Sequence, residues 1–354
     1  MKVVLLAAGN SIHTVRWANG LVARGLDVHL ISAESKLDSL DDAVAFYRFK
    51  HKAPLGYLVN LFELRNLLNQ INPDLMNAHY ATGYGLLANL SNFTPVLLSV
   101  WGSDVYEFPN KSILHNRLLR SNLKSAAAIA STSHCMAYEA AGIYSHKQVY
   151  ITPFGVDENI FSPTTKTTND IVFGTIKTLE SKYGVDILIQ AFFILWERLG
   201  SPDLVKLEIT GGGSDSDELK DLVKHLGLSK NVIFHGEVDH SNVPKMLNRL
   251  DVYCAFSRFE SFGVAVLEAC ACEKPVIVSD ASGLKEVTLD KITGFVVPKN
   301  DVEASADAMM KLVDDGLLRK KMGQSGRKHI LENYTWEKSL DLMINAYKEI
   351  LLSK

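Results

Sequence analysis

Short runs of β-branched and aliphatic residues alternate along the chain with longer stretches in which apolar residues recur at helical spacing. This alternation is typical of βαβ units and predicts mostly parallel sheets. The strands predicted in the first half of the chain are 2–7, 28–32, 75–78, 96–100, 128–131 and 149–151. Those predicted in the second half are 170–175, 205–210, 232–235, 252–255, 275–278 and 294–297. The pattern therefore indicates the α/β class, with two doubly wound sheets in succession.

A polar stretch separates the two sets of strands. Residues 153–170, PFGVDENIFSPTTKTTND, are rich in Pro, Thr, Asn and Asp, which predicts an interdomain linker. The predicted domains are residues 1–160 and 168–333, and we expect the amphipathic stretch 337–354 to complete the first. Two Rossmann-like domains that face each other bring the carboxyl ends of both sheets to one cleft, where such folds bind ligands.

The length and composition favour a globular protein of two domains. The chain has 354 residues, of which 47% are hydrophobic and 22% charged, so disorder and fibrous repeats are excluded. The formal net charge of -3 provides no strong field to gather nucleic acid, and no nucleic-acid partner is expected. No apolar run approaches the roughly 20 residues that cross a bilayer, and the N-terminal run is expected to be a strand and not a signal peptide. The four cysteines contain no Cys-x-x-Cys pair, which favours reduced thiols and a cytoplasmic location.

Two carboxylates follow the predicted strand 252–255. Glu260 and Glu268 are eight residues apart, and an aliphatic helix is predicted to start near Ser261. The free N–H groups and positive dipole end of such a helix form a site for an anion or a hydroxyl group. Glu268 can reach a ribose diol there, because a carboxylate accepts from both hydroxyls. The alternative is that Glu260 is an N-terminal helix charge and Glu268 a surface carboxylate.

Two lysines follow the first predicted strand of the second half. Lys177 and Lys182 lie in the segment GTIKTLESKYG, before the predicted helix 185–198. Two cations at the carboxyl end of a strand suit a diphosphate leaving group, since the departing group carries negative charge that must be stabilised in place. The alternative is a pair of solvated lysines.

The segment from Glu260 to Glu268, in which Ser, Phe and Gly follow the first Glu, resembles the Glu-x7-Glu motif of retaining GT-B glycosyltransferases, especially family 4. The resemblance implies that Glu260 addresses the donor sugar and that Glu268 addresses the ribose. It also implies that the backbone at Phe262, Gly263 and Val264 faces the diphosphate.

The lysine segment resembles the Gly-x-x-Arg/Lys-x-x-x-x-Lys-Gly segment of the same family, with two departures. Lys177 stands where Arg is commoner, and Tyr183 is inserted before Gly184. A lysine keeps the charge but gives up bidentate geometry. The resemblance implies diphosphate contacts for Lys177 and Lys182.

Two further segments keep the order of this family. The three glycines at 211–213 resemble its Gly-x-Gly turn, although they also fit a tight βα turn. Residues 234–238 resemble the strand and loop whose backbone meets the nucleobase, which implies base contacts at Gly236 and Val238. The four segments together span residues 170–300.

The first half of the chain is the usual acceptor side of this family. The loop after the first strand resembles the family loop that meets the donor diphosphate and the acceptor, which implies donor contacts at Gly9 and Asn10 and an acceptor contact at His13. This loop lacks the Gly-x-Gly-x-x-Gly of a dinucleotide domain, which counts against a dehydrogenase. His79 is expected to contact the sugar or acceptor, or else to be a structural histidine. Asp104 is expected to bind acceptor hydroxyls, or only to cap the following turn.

Basic residues recur at helical spacing in the first half. Arg117, Arg120 and Lys124 share one face of a predicted helix, as on a solvated surface. The sharper interpretation is a basic surface for anionic membrane lipid or for a lipid-linked diphosphate acceptor.

The resemblance therefore implies a GT-B glycosyltransferase that moves a sugar from a nucleoside diphosphate to a hydroxyl of a glycan or lipid-linked glycan, with retained configuration, in surface polysaccharide biosynthesis. It is expected in the cytoplasm or peripherally on the inner face of the cytoplasmic membrane. Neither a metal nor another cofactor is expected, because lysines can replace a cation. The expected catalytic residues are Glu260, Lys177, Lys182 and His79. The alternatives are a nucleotide-sugar epimerase or hydrolase on the same fold, and a non-catalytic sugar-binding module.

Overall fold

The computed structural model describes residues 1–52, 56–165 and 170–353. The chain divides into two units, of which the first comprises Met1–Phe154 with Glu337–Lys354 and the second comprises Gly155–Trp336. The predicted start of the second domain at residue 168, part of the predicted linker and residue 354 lie outside the described residues.

The first unit is built on a seven-stranded parallel sheet. Its strands are β1 Lys2–Leu6, β2 Asp27–Ser32, β3 Ala45–Arg48, β4 Leu75–His79, β5 Val96–Val100, β6 Ala128–Ser131 and β7 Val149–Ile151. They lie in the order β3-β2-β1-β4-β5-β6-β7. The helices between them are α1 Ile12–Ala23, α2 Gly56–Val59, α3 Leu61–Ile71, α4 Gly83–Ser91, α5 Ser103–Tyr106, α6 Ile113–Ser125 and α7 His134–Ile143.

The central strands of this sheet are buried along their whole length, and the edge strand is not. Every residue of β4, β5 and β6 is buried, which is why these strands appear in the sequence as continuous apolar runs. The edge strand β3 was absent from the sequence prediction. Its residues are half-buried or exposed, so no apolar run marks it.

The second unit is built on a six-stranded parallel sheet. Its strands are β8 Ile171–Ile176, β9 Val205–Thr210, β10 Val232–Gly236, β11 Val252–Ala255, β12 Val276–Ser279 and β13 Gly294–Val297, in the order β10-β9-β8-β11-β12-β13. Its helices are α8 Val185–Arg198, α9 Ser216–His225, α10 Val243–Arg249, α11 Val264–Ala271, α12 Ser282–Val287, α13 Val302–Asp314 and α14 Gly316–Asn333. The two parallel sheets with their crossover helices confirm the predicted α/β class with two Rossmann-like domains.

The stretch after residue 154 folds with the second unit and does not act as a free linker. The backbone N–H of Val156 donates to the carbonyl of Tyr334 at 2.8 Å, and Phe161 is buried. Arg327 on α14 donates to the carbonyl of Phe161 at 3.2 Å. The polar composition of this stretch therefore marks a turn of the chain across the surface of the second unit, and the boundary lies at residues 154 and 155 instead of 160.

The last helix, α15 Trp336–Leu352, packs into the first unit. The buried amide nitrogen of Asn77 on β4 donates to the hydroxyl of Tyr347 at 2.8 Å, and the hydroxyl of Ser99 donates to the Asn77 amide oxygen at 2.8 Å. At the surface, Arg24 on α1 forms an ion pair with Asp341 at 2.8 Å. The polar atoms that this helix buries are therefore partnered, as burial requires.

The strands of a parallel sheet all end at one edge, so each sheet collects its βα loops there. These loops carry the residues described below. None of the helices in the described part of the chain has both the length and the apolar character of a membrane span.

Candidate functional site

In the second unit, the loop that carries Lys177 and Lys182 (the lysine loop) is joined by backbone hydrogen bonds to the turn at residues 211–213 (the glycine turn). The N–H of Lys177, which follows β8, donates to the carbonyl of Thr210 at 2.9 Å, and the N–H of Leu179 donates to that of Gly212 at 2.8 Å. A Cβ on Gly211 would lie 1.9 Å from the carbonyl oxygen of Lys177, and Gly211 has a φ of 135°. Glycine is therefore required there by both close approach and backbone conformation.

The loop that carries Glu260 is longer than predicted, because α11 begins at Val264 and not near Ser261. Gly263 precedes the helix with a φ of 101°, in the left-handed region that favours glycine. The carbonyl of Glu260 accepts from the N–H of Gly283 at 3.0 Å, and a Cβ on Gly283 would lie 2.3 Å from the backbone nitrogen of Phe262. The start of α12 therefore fixes this loop.

Arg258 joins the lysine loop to the loop that carries Glu260 (the glutamate loop). Its N–H donates to the carbonyl of Lys182 at 2.8 Å. Its guanidinium forms a bidentate pair with the carboxylate of Asp186 on α8, at 2.9 and 2.6 Å. Bidentate pairs of this kind fix orientation as well as charge. Arg258 was not among the predicted site residues, because nothing in the sequence indicates that it meets a carboxylate 72 residues earlier.

Lys177 and Glu260 form an ion pair at the carboxyl ends of the neighbouring strands β8 and β11. Their side chains are only 16% and 13% exposed. Burial lowers the pKa of the Lys177 ammonium group, but the adjacent Glu260 carboxylate outweighs this effect and the pKa lies above its ordinary value. The Lys177 ammonium group therefore keeps its proton beside the Glu260 side chain.

Lys182 lies in the 3-10 turn Ser181–Tyr183 of the same loop and is more exposed, at 43% of its side chain. Its ammonium nitrogen is 3.2 Å from the carboxylate of Glu180. The structure thus brings Lys177, Lys182 and Glu260 onto two adjoining loops at one sheet edge. This edge presents two cations, as the binding of a diphosphate requires.

Glu268 is a buried carboxylate of α11, and its Oε1 lies 3.3 Å from Nε2 of His240. His240 belongs to a short 3-10 turn, His240–Asn242, that follows the loop after β10. His240 was not among the predicted site residues, since a single histidine in a polar loop carries no recognisable pattern. The predicted surface carboxylate is therefore excluded for Glu268, which is buried and has a side-chain partner.

The other predicted donor contacts of the second unit lie around these groups. Gly236 ends β10 with a φ of 72°. Its carbonyl accepts from the N–H of Gly211 at 2.8 Å, so the loop predicted to meet the nucleobase adjoins the glycine turn. Val238 is half-buried in the same loop. Phe262 is buried, and its ring centroid lies 6.1 Å from that of Tyr334.

In the loop after β1 of the first unit, a group predicted to contact the sugar donor is hydrogen-bonded within the protein. The N–H of Gly9 donates to the hydroxyl of Ser32 at 2.8 Å, while Asn10 is exposed. The same hydroxyl lies 3.1 Å from the carboxylate of Glu34, which also accepts a hydrogen bond from the hydroxyl of Tyr84. Burial raises the pKa of Tyr84, so this hydroxyl keeps its proton. A diphosphate contact through the N–H of Gly9 is not supported by this geometry.

His13 and His79 belong to one aromatic cluster in the first unit. The ring of His13 stacks on Phe154 with centroids 4.2 Å apart, and the ring of His79 lies 4.6 Å from Trp101. Trp101 and Phe154 meet edge to face at 5.3 Å. His79 is 2% exposed, and its Nδ1 has no hydrogen-bond partner among the residues that the structure describes. Burial lowers the pKa of His79 to about 3, so its imidazole is neutral.

Asp104 is fully buried and holds the loop after β5. Its carboxylate accepts from the backbone N–H groups of Ala81 at 2.9 Å, Trp101 at 3.1 Å and Gly102 at 2.8 Å. Burial raises the pKa of this carboxyl, and the three N–H groups oppose the rise. The geometry supports the turn-capping alternative, and the expected acceptor contact through Asp104 is not supported because no part of the residue is exposed.

The described ranges contain no group of three or more His, Cys, Asp or Glu side chains that is arranged to hold a metal ion. Asp215 and Asp217 lie at the start of α9, where Asp217 is 97% exposed and pairs with Lys220 at 3.2 Å.

Two family models match consecutive parts of the chain. The family described as "Glycosyl transferases group 1" matches residues 156–329, and the family described as "Glycosyl transferase 4-like" matches residues 2–133. Among curated proteins, the chain is 23% identical over 366 residues to the N-acetyl-alpha-D-glucosaminyl L-malate synthase of Bacillus anthracis, covering 97% of this chain and 94% of the relative. It is 26% identical over 308 residues to the mannosylfructose-phosphate synthase of Agrobacterium fabrum, covering 76% and 67%.

Solved structures show the same fold. The sucrose-phosphate synthase of Thermosynechococcus elongatus superposes with a TM-score of 0.85 at 18% identity, covering 100% of both chains. Anabaena Alr3699/HepE in complex with UDP-glucose superposes with a TM-score of 0.82 at 18% identity, also covering 100% of both chains.

The burial of His79 predicts a pH-dependent stability. Its folded-state pKa of about 3 lies below the ordinary value of 6.5, so the unfolded chain takes up a proton below pH 6.5 while the folded chain does not. The contribution of neutral His79 to the free energy of unfolding is therefore fully present above pH 6.5 and is lost as the pH falls towards 3. Between pH 6.5 and pH 5, the free energy of unfolding should fall in both proteins when it is measured by urea denaturation. We expect the fall to be about 1.5 kcal/mol smaller in His79→Gln than in the wild type. The matched control His51→Gln, at an exposed histidine, should follow the wild type. Equal pH dependence in all three proteins would show that His79 titrates normally.

Proposed function

We propose that this chain transfers a sugar from a nucleoside diphosphate sugar to a hydroxyl of a glycan or lipid-linked glycan acceptor. The basis is that the chain belongs to the GT-B glycosyltransferases of the family 4 type. The observation that carries the proposal is the convergence of Lys177, Lys182 and Glu260 on two adjoining loops at the carboxyl edge of the second sheet, with Glu268 on the helix that follows. Anabaena Alr3699/HepE, which has the same fold, was solved in complex with UDP-glucose, and this supports a donor of the same class.

The donor is held by the second unit in this proposal. Lys177 and Lys182 bind the diphosphate, Glu260 binds a hydroxyl of the sugar, and Glu268 accepts from the ribose hydroxyls. The loop at Phe262 and Gly263 directs its backbone to the diphosphate. A diphosphate that approaches Lys177 competes with Glu260 for the ammonium group, and Glu260 is then available to the sugar. Gly236 and Val238 supply backbone contacts to the base.

The reaction exchanges one bond at the anomeric carbon for another. The bond between this carbon and the diphosphate oxygen breaks, and its electron pair leaves with the diphosphate. The acceptor oxygen bonds to the same carbon from the same face, and its proton moves to an oxygen of the departing diphosphate. Lys177 and Lys182 stabilise the charge that develops on that group, so the step requires no divalent metal. The configuration at the anomeric carbon is thereby retained.

The acceptor is assigned to the first unit in this proposal, with His13 and His79 as contacts. A neutral imidazole such as that of His79 can donate or accept a hydrogen bond to a sugar hydroxyl without adding charge. The aromatic rings of Trp101 and Phe154 next to the two histidines suit the apolar face of a sugar ring.

The proposal includes a peripheral contact of the first unit with the cytoplasmic membrane, where the enzyme would meet a lipid-linked acceptor for surface polysaccharide. Ile113 and Leu114 at the start of α6 are each 73% exposed, and Phe62 on α3 is 75% exposed. Arg117 and Lys124 are exposed on the same helix as the first pair. Exposed apolar side chains beside cations suit the headgroup region of an anionic bilayer.

The first expected outcome concerns donor binding. A sugar nucleotide from a panel of UDP-, GDP- and ADP-glucose should bind the wild type in the presence of EDTA, as observed by saturation-transfer NMR and thermal shift. Lys182→Ala and Glu268→Gln should each weaken this binding by about 10- to 100-fold, because the first removes a charged donor to the diphosphate and the second replaces a charged acceptor of the ribose hydroxyls with a neutral amide. The control Asp217→Asn, at an exposed carboxylate of the same unit, should bind as the wild type does.

Absence of binding by the whole panel at millimolar concentration contradicts the transferase proposal and favours a binding module. Binding that needs a divalent cation contradicts the role given to the lysines. Conversion of the sugar nucleotide to an epimer favours the epimerase alternative.

A second expected outcome concerns stereochemistry. With an α-linked donor such as UDP-glucose, the first product of transfer to an added alcohol should carry the α configuration, because attack and departure share one face. One-dimensional proton NMR of the product distinguishes the two anomers. A β product would overturn the same-face mechanism while leaving the transferase activity in place.

A third expected outcome concerns the membrane. The wild type should float with vesicles that contain one quarter phosphatidylglycerol and not with pure phosphatidylcholine vesicles. The double variant Ile113→Ser with Leu114→Ser should bind about ten-fold more weakly, since it removes two apolar groups from the contact. The control Leu317→Ser changes a leucine that is 83% exposed on the second unit and should bind as the wild type does. Equal flotation of both variants and the wild type would exclude this surface.

A further inference from the structure

One of the two departures of the lysine segment from the family pattern is Tyr183, which stands between Lys182 and Gly184. In the structure, Tyr183 ends the 3-10 turn Ser181–Tyr183 and is half-buried. The nitrogen of Lys177 lies 4.5 Å from the centroid of its ring, and the nitrogen of Lys182 lies 5.1 Å from it. Both distances are within the range of about 6 Å in which an aromatic ring attracts a cation. One ring therefore contacts both of the cations assigned to the diphosphate.

The backbone fixes the position of this ring. The N–H of Tyr183 donates to the carbonyl of Glu180 at 2.9 Å. Gly184 follows with a φ of 64°, and a Cβ there would lie 2.0 Å from the carbonyl oxygen of Phe256. The turn therefore ends against the glutamate loop, and the carbonyl of Lys182 accepts from the N–H of Arg258 in that loop. The ring stands on a turn that is tied to its neighbours on both sides.

Each lysine also has a carboxylate partner of its own. Lys177 is paired with Glu260, and Lys182 lies 3.2 Å from Glu180. An additional carboxylate would draw the two ammonium groups together, but it would also repel a diphosphate. The face of a neutral ring attracts cations without a formal negative charge. A tyrosine at this position can therefore gather both cations and leave them available to an anion.

We propose that Tyr183 is a positioning residue of the diphosphate site, and that its ring orients the ammonium groups of Lys177 and Lys182 towards the diphosphate. This inference rests on the proposed function, because it assigns the two lysines to a nucleoside diphosphate. Tyr183 acts through the lysines and needs no contact with the ligand. The ring and not the hydroxyl is the active part, since cation attraction arises from the ring face.

The test compares Tyr183→Phe, which keeps the ring, with Tyr183→Leu, which keeps an apolar side chain and removes the ring. Calorimetric titration measures the affinity of each protein for UDP and for UMP. If the wild type binds another base, GDP with GMP or ADP with AMP takes their place. Tyr183→Leu should bind UDP about ten-fold more weakly, since two contacts of about 0.5–1 kcal/mol each correspond to about 5- to 30-fold. Its affinity for UMP should fall by less than about two-fold, and Tyr183→Phe should bind UDP within about two-fold of the wild type.

The outcomes separate the inference from the function on which it rests. A Tyr183→Leu variant that binds UDP as the wild type does, while Lys182→Ala does not, overturns the inference and leaves the donor site in place. An equal loss of UDP and UMP affinity in Tyr183→Leu, with a lower unfolding temperature, indicates a structural residue and also overturns it. A loss in Tyr183→Phe as large as in Tyr183→Leu assigns the effect to the hydroxyl and contradicts the role of the ring. A wild type that binds none of these nucleotides removes the proposed function and the inference together.

Discussion

The ion pair between Lys177 and Glu260 exists because β8 and β11 are neighbours in the second sheet, although 83 residues separate the two side chains. Removal of one partner from a buried ion pair costs about 3–5 kcal/mol, so the position of each side chain at the edge of the sheet depends on the other. Two features of the surrounding structure hold the two loops that carry this pair in place. The glycine turn allows the lysine loop to approach the backbone of β9, and Arg258 ties that loop to the segment before Glu260. Charge that would be unstable in isolation is thus kept near the place where a diphosphate is proposed to bind.

Much of the fold follows from the apolar runs of the sequence, because the central strands of a parallel sheet are buried on both faces. The strand β5 illustrates this, since all five of its residues are buried and its observed bounds coincide with the predicted range 96–100. The edge strand β3 has solvent on one side, so its residues carry no such run. The segment that begins at residue 155 misled the prediction for a related reason. Its polar residues reflect a path across the surface of the second unit, and composition alone does not distinguish such a path from a linker.

The candidate site was only partly visible in the sequence. Lys177, Lys182, Glu260 and Glu268 were identified because the segments that carry them resemble motifs of a known family, whereas their spacing alone left a structural alternative open. The partners of these residues come from distant segments, and spacing gives no information about them. His240 meets Glu268 from a loop 28 residues earlier, and Tyr183 gains its significance only from the position of two side chains around its ring. Asp104 shows the opposite case, in which a carboxylate at a promising position is occupied by three backbone N–H groups.

The two units differ in the kind of surface that their loops present, and the difference bears on the proposed chemistry. The loops of the second unit carry fixed charges, in two lysines and two glutamates, as recognition of an anionic nucleotide requires. The cluster of His13, His79, Trp101 and Phe154 in the first unit is aromatic, and burial keeps His79 neutral. Two carboxylates of the first unit are already engaged in the fold, since Asp104 is buried and Glu34 accepts from the hydroxyl of Tyr84. A surface of this kind suits a neutral, hydroxyl-rich acceptor, as the proposed function requires.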